Sequence, residues 1–160
     1  MAIEQGDTMP SGVFGVMTDS GPGAISTDEL FAGKKVVLVS VPGAFTPTCS
    51  ANHLPGFSDH AEQLAGKGVD TIACMAVNDV FVMDAWGKDR GVGDKVVMLA
   101  DGNGEYAAAL GLEMDASGFG MGTRSQRFAI VVEDGKATHV AVEAPGQFEV
   151  SKAESVLASL

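Results

Sequence analysis

Of the two cysteines in this 160-residue chain, Cys49 stands where a thiol can do chemistry. It closes the run Pro42-Gly43-Ala44-Phe45-Thr46-Pro47-Thr48-Cys49, in which Thr46 suits a helix N-cap and Pro47 the first helical position. Cys49 then falls in the first helical turn, where backbone N–H groups without partners and the positive end of the helix dipole favour an anion. A thiol placed there is drawn toward thiolate, the form that attacks electrophiles. A cysteine with a pKa of about 8.5 is roughly 3% thiolate at pH 7, and one at about 6 would be roughly 90%. Nucleophilicity falls with basicity at a slope of about 0.4–0.5, so roughly tenfold of that gain is lost again. A lowered pKa alone is therefore worth only a few-fold. A fast reaction needs groups that orient the electrophile and stabilise charge on its departing atom.

Other residues compete for a chemical role. His53 follows Cys49 by one helical turn and shares its face, which allows a Cys–His dyad, but no neighbouring residue supplies the third, orienting group. Packing or a hydrogen bond within the helix is the simpler reading. Cys74 lies inside an apolar run, as a small buried residue or as a second redox cysteine. Asp101-Gly102-Asn103-Gly104-Glu105 starts like a calcium loop, yet Tyr106 stands where that loop needs glycine and Leu112 where it needs a carboxylate, so it reads as a turn. Gly118-x-Gly120-x-Gly122 has no strand before it and fails the dinucleotide fingerprint. It reads as a flexible loop, with Phe119 and Met121 as an apolar collar. No spacing of Cys, His or acidic residues marks a metal site.

The elements that must position these groups follow from periodicity. Val36 to Val41 and Thr71 to Val77 are β-branched or apolar runs of strand length, and Val96 to Ala100 is a third. The helix after Cys49 meets Pro55-Gly56, which should kink or break it. Asn78-Asp79 can cap a helix carrying Phe81, Val82, Ala85 and Trp86. A short helix is expected around 104–111, then a glycine-rich loop from Gly111 to Gly122. Arg127 to Val132 and Ala137 to Val142 form a hairpin across Asp134-Gly135. Ser151-Lys152-Ala153-Glu154 spells a capping box for a last helix. Residues 1–30 read as an edge hairpin or irregular lead-in. Alternating strands and helices imply one α/β domain over residues 1–160, with a mixed central sheet flanked by helices. In such sheets chemistry gathers at the carboxyl ends of the parallel strands, where Cys49 lies. Cys74 would sit about 10 Å down its strand. Direct disulfide pairing with Cys49, which needs Cα atoms within about 7 Å, is then disfavoured without local unfolding.

Composition bounds the partners. A net charge of −11 argues against nucleic acid, since such binders need clustered Lys and Arg. No apolar run approaches the roughly 20 residues that span a bilayer, so no membrane association is expected. The opening residues have neither a basic nor an apolar signal region, and the cysteines are too few for a disulfide framework. A cytoplasmic, reducing setting is the expectation.

Pro42-x-x-x-Thr46-x-x-Cys49 resembles the active-site motif of peroxiredoxins, thiol peroxidases on a thioredoxin-like fold. Val41 to Ser50, His53-x-Pro55-Gly56-Phe57, Val77-Asn78-Asp79-x-Phe81-Val82-Met83-x-Ala85-Trp86, Leu99 to Gly102 and Arg124-Ser125-x-Arg127-Phe128-Ala129 are similar to the peroxiredoxin-5, or plant type II, branch. The resemblance implies reduction of hydrogen peroxide and alkyl hydroperoxides by a homodimer, with no metal and no cofactor. It makes Cys49 the peroxidatic nucleophile, cycling through a sulfenic acid, with Thr46 positioning the peroxide and Pro42 shielding the sulfur. The family's arginine corresponds to Arg127 at a strand start, with Arg124 as the second candidate. Phe119 would meet alkyl groups. Cys74 either packs or resolves the sulfenic acid. A third cysteine found in animal members has no counterpart in residues 143–160, so glutathione with glutaredoxin, or else thioredoxin, is the expected reductant. A thiol–disulfide oxidoreductase is disfavoured by the lack of a C-x-x-C pair. A non-catalytic peroxide sensor or redox-dependent binding module using the same cysteine is the alternative.

Overall fold

A computed structural model describes the chain except for Thr48 and the side chains of Cys49 and Ser50. The lead-in forms an edge hairpin, β1 (Val13–Thr18) and β2 (Gly21–Ser26), followed by α1 (Thr27–Phe31). The β-branched run becomes β3 (Lys35–Ser40), buried from Val36 onward. A π-helical turn, Cys49–His53, leads into α2 (Leu54–Asp59) and then α3 (Ala61–Gly66). Next come β4 (Thr71–Ala76), α4 (Val80–Asp89), β5 (Val97–Ala100) and α5 (Glu105–Leu110). Two short strands, β6 (Glu113–Asp115) and β7 (Thr123–Ser125), pair with each other. The hairpin β8 (Phe128–Glu133) and β9 (Lys136–Val142) and the helix α6 (Ala153–Ser159) complete the chain.

Seven strands form one sheet in the order β2-β1-β5-β4-β3-β8-β9. Its centre is parallel, β3 beside β4 and β4 beside β5, and the outer pairings are antiparallel. Alternate residues of a strand point to opposite faces, so each central strand feeds two cores. Val37, Val39 and Cys74 pack with Leu54, Phe57 and Trp86 under α2 and α4. Val36, Leu38 and Ala73 pack with Phe14, Phe31 and Leu110 on the other face. Strands covered on both faces need the near-continuous apolar runs that β3 and β4 carry. Among the described residues no helix is long and apolar enough to cross a membrane.

Local chemistry explains most boundaries. Asp79 accepts a hydrogen bond from the Val82 N–H at 2.8 Å and caps α4 as expected. The buried Asp101 carboxylate accepts from the N–H groups of Tyr106 and Ala107, which makes the Asp101–Glu105 turn the cap of α5. Asp134 and Gly135 both have positive φ, at 49° and 80°, as a tight two-residue hairpin requires.

Two local expectations are corrected, and a third takes a particular form. The π-helical turn Cys49–His53 gives way to α2 one residue before Pro55, which sits in the first turn of α2, and a second break comes at His60. The stretch Gly111–Gly122 is not all loop, since Glu113–Asp115 pairs with Thr123–Ser125; strands of three residues leave no readable period. Ser151 caps nothing. The N-cap of α6 is Lys152, which makes no side-chain cap, and the Ser151 hydroxyl donates instead to the Glu143 carboxylate at 2.6 Å. The reciprocal capping box lies at Ser26 and Glu29, opening α1.

These two serines make separable predictions. Ser26→Ala should lower stability by about 1 kcal/mol, the value of a cap. Ser151→Ala should cost more, about 1–3 kcal/mol, because it takes a donor from a buried carboxylate. Urea denaturation at neutral pH measures both, and equal losses would reduce Ser151 to a cap-sized role.

Candidate functional site

The loop after β3 is clamped before it reaches Cys49. Val41 N–H donates to the Met75 carbonyl at 3.2 Å, continuing the β3–β4 ladder one residue past the strand. The Ala44 N–H donates to Asn78 Oδ1 at 2.9 Å, and the Thr46 hydroxyl to the Gly43 carbonyl at 2.8 Å. Between them Phe45 is forced to φ 64°, a left-handed conformation that costs a non-glycine residue about 1–3 kcal/mol. Gly43 is buried, and a Cβ there would lie 3.3 Å from Thr46, 3.4 Å from Met121 and 3.5 Å from the Arg124 guanidinium. Thr46 was expected to cap the next helix. Its first capping partner would be Thr48, outside the described residues, as is the Cys49 side chain.

The two arginines do different things. Arg124, on β7, donates to the carbonyls of Met121 at 2.9 Å and Val77 at 3.0 Å, so it braces the backbone around Gly43. Arg127 lies just before β8 and directs Nη1 at His53 Nδ1, 2.8 Å away, with its Cζ 5.8 Å from the Phe148 ring centre. A cavity of about 600 Å³ opens between Pro42, Arg127, Phe119 and the segment from Glu143 to Phe148. Ser40, the last residue of β3, donates to Ser125 at 2.7 Å and ties β7, with both arginines' segment, to the strand that launches the Cys49 loop.

His53 is fully buried, and its partners fix its proton. A carbonyl only accepts, so Nε2, 3.0 Å from the Ser151 carbonyl, carries the hydrogen. A guanidinium only donates, so Nδ1 offers its lone pair to Arg127. Burial above all, and then the Arg127 charge, push the imidazole pKa down to about 3. With both nitrogens engaged, His53 is no general base, and a Cys–His dyad is excluded in favour of the hydrogen-bonding alternative. Glu143 stands behind this contact. Its Oε2 accepts from the N–H groups of Glu149 and Ser151, each at 2.8 Å, and from the Ser151 hydroxyl. Burial pushes the carboxyl up, but the hydrogen bonds from Ser151, Glu149 and Val150 outweigh it and hold its pKa below the ordinary carboxylate value.

The structure thus brings Pro42, Arg127 and Phe119 to one cavity, with Thr46 and Arg124 gathered at Gly43 beside it. Phe119 stands on its rim, 86% exposed. Cys74 is not there: it is buried in the middle of β4, opposite Val39 and Met98. Trp86 is buried in the core and Phe81 lies exposed on the surface. Among the described residues no cluster of His, Cys, Asp or Glu could hold a metal ion. Glu143, Phe148 and Ser151 were missed by sequence reasoning. Only Glu143 carried a signal, an acid directly after an apolar strand, and it was too faint to use.

A family model described as Redoxin matches residues 4–157. Peroxiredoxin-2B of Arabidopsis thaliana is 48% identical over 159 residues, spanning 99% of this chain and 98% of the relative. The solved structure of reduced Prx3 from Vibrio vulnificus in complex with hydrogen peroxide is 53% identical, with a TM-score of 0.94 over 98% of each chain. A Burkholderia cenocepacia protein described as a putative thioredoxin reductase is 50% identical, with a TM-score of 0.98 over 100% of this chain and 99% of the other.

The buried imidazole makes stability depend on pH in a defined direction. His53 titrates at about 3 when folded and near its ordinary 6.5 when unfolded. Between those values the unfolded chain binds the extra proton, so stability falls as pH falls through 6.5 toward 3. Between pH 7 and pH 5 the group should remove about 2 kcal/mol, at about 1.4 kcal/mol per unit once the unfolded ring is protonated. Urea melts at the two pH values measure the loss, and His53→Asn should abolish that share of it.

Proposed function

The chain belongs to the redoxin family and is a peroxiredoxin, a thiol-dependent peroxidase, and on that premise we propose that Cys49 is its peroxidatic nucleophile. The mixed sheet flanked by helices is the thioredoxin-like fold of that family. The observation that carries the reading is the meeting of Pro42, Arg127 and Phe119 around one cavity, at the end of the clamped loop that leads to Cys49. The description of the Burkholderia relative does not carry over, because Cys49 and Cys74 do not form a C-x-x-C pair.

In this reading the Cys49 thiolate attacks one oxygen of a peroxide in line with the O–O bond. The S–O bond forms as the O–O bond breaks, giving a sulfenic acid and a hydroxide or alkoxide that takes up a proton. Arg127 stabilises the negative charge gathering on the leaving oxygen, where a preorganised donor acts most strongly. Thr46 gives its own proton to the Gly43 carbonyl, which leaves its oxygen as acceptor for a peroxide O–H. The two residues then polarise the bond from opposite sides. Pro42 keeps water from the sulfur, and Phe119 at the rim, with the apolar cavity wall, accommodates the alkyl part of organic hydroperoxides. Arg124 supports the loop from behind.

Recycling needs an external thiol. Cys74 lies buried in β4 and acts as packing, so the sulfenic acid condenses with glutathione and the mixed disulfide passes to glutaredoxin, with thioredoxin as second choice. Both suit a cytoplasmic setting. The half-exposed Phe45 and the exposed Phe81, 51% and 63% accessible, offer an apolar surface beside the site for a homodimer contact.

Peroxide consumption tests the assignment. Cys49→Ser should abolish it with every reductant, and Arg127→Ala should slow sulfenic acid formation far more than Arg124→Ala. Stopped-flow oxidation of the reduced protein by hydrogen peroxide measures both, and the reverse order of the arginines would transfer the role to Arg124. Cys74→Ser should keep most turnover with glutathione and glutaredoxin. Oxidation of Cys49 without turnover, under both glutaredoxin and thioredoxin, would turn the reading into that of a sensor.

A further inference from the structure

We propose that His53 is the positioning residue for the Arg127 guanidinium, and that the Glu143–Ser151 loop holds His53 in the one tautomer able to do it. The proposal rests on the assignment of Arg127 to peroxide polarisation.

Each link has a chemical direction that cannot be reversed. Arg127 has only hydrogens to give, so its partner must offer a lone pair. An imidazole offers one only when neutral, and on only one of its nitrogens. The Ser151 carbonyl takes the Nε2 proton at 3.0 Å and leaves Nδ1 facing Nη1 at 2.8 Å. The carbonyl in turn belongs to a loop closed by one carboxylate, since Glu143 binds the N–H of Glu149 and both the N–H and the hydroxyl of Ser151. The same loop presents Phe148, whose ring lies 5.8 Å from the guanidinium carbon and 5.0 Å from the His53 ring in an edge-on contact. One loop therefore grips the arginine and the group that aims it.

The neutrality of the contact matters to the reaction. A carboxylate in the place of His53 would hold Arg127 equally well but would oppose the charge that a departing oxygen needs to feel. Glu143 is the nearby acid, and its Oε2 is already taken up by three donors. A neutral imidazole steers the guanidinium without itself opposing that charge.

A double-mutant cycle on the reduced full chain tests this, read as the rate constant for oxidation by hydrogen peroxide. A hydrogen bond to a charged group is worth a rate factor of roughly 10- to 100-fold, so His53→Leu should slow oxidation by about that much. His53→Asn keeps an acceptor oxygen near the Nδ1 position and should restore most of the rate. The double variant His53→Leu with Arg127→Ala should be no slower than Arg127→Ala alone, because the histidine acts only through the arginine. Alkylation of Cys49 by iodoacetamide at its high-pH plateau involves no O–O bond and should fall far less than the peroxide rate. His53→Gln keeps the donor toward Ser151 and loses the acceptor toward Arg127, so it supplies the same reading where the leucine variant does not fold. Additive losses in the cycle, or equal losses in alkylation and oxidation, would overturn the positioning role while leaving the assignment of Arg127 intact. A harmless Arg127→Ala would overturn both.

Discussion

His53 is held between a group that can only accept and a group that can only donate, and much of the site depends on that contact. The ring has one proton and one lone pair, and the Ser151 carbonyl and Arg127 take one each. A protonated ring would set an N–H against the guanidinium, in a place where burial already disfavours charge. The neutral form is therefore imposed from two sides. Because Ser151 is anchored to Glu143, and Arg127 borders β8, this single side chain joins the π-helical turn, the loop before α6 and the central sheet.

The chemistry explains why a neutral joint is useful. A carboxylate about 4 Å from a guanidinium would interact with it by about 4 kcal/mol at an effective dielectric constant of about 20. A comparable part of that field would be lost to a developing oxyanion. Lowering the thiol pKa yields only a few-fold in rate, so the charge presented to the leaving oxygen is where an active site gains most. The clamped loop serves the same end. Asn78, Thr46 and Arg124 hold the backbone around Gly43, and the strained Phe45 shows how firmly the surroundings determine its path.

The parallel centre of the sheet decides where these parts meet. β3 and β4 run side by side, so the Cys49 loop and the Asn78 turn leave at the same end. β8 runs antiparallel to β3, which brings its amino-terminal end, with Arg127, to that same edge. The Ser40–Ser125 hydrogen bond fastens β7 there as well.

Much of this was legible in the residues themselves. Apolar runs announced β3, β4 and β5, Asp79 announced the start of α4, and Asp134-Gly135 announced the last hairpin, because each depends on neighbours in the chain. The spacing of Pro42, Thr46 and Cys49 is what marks Cys49 as the candidate for a reactive cysteine. Ser151 shows where such reading stops. Its spelling satisfied a local rule, yet its hydroxyl serves a carboxylate brought to it by the fold of β9 and the following loop, while the working capping box sat at Ser26. The same holds for His53. Its type and its distance from Cys49 were plain in the sequence, but its proton was assigned by Ser151 and Arg127, both remote along the chain. Local periodicity and spacing made most of the elements legible and marked Cys49 as the candidate nucleophile. Only the tertiary structure decided the tautomer, the aim of the arginine and the cavity they share, because hydrogen-bond direction in a buried site is set by whichever groups packing brings together.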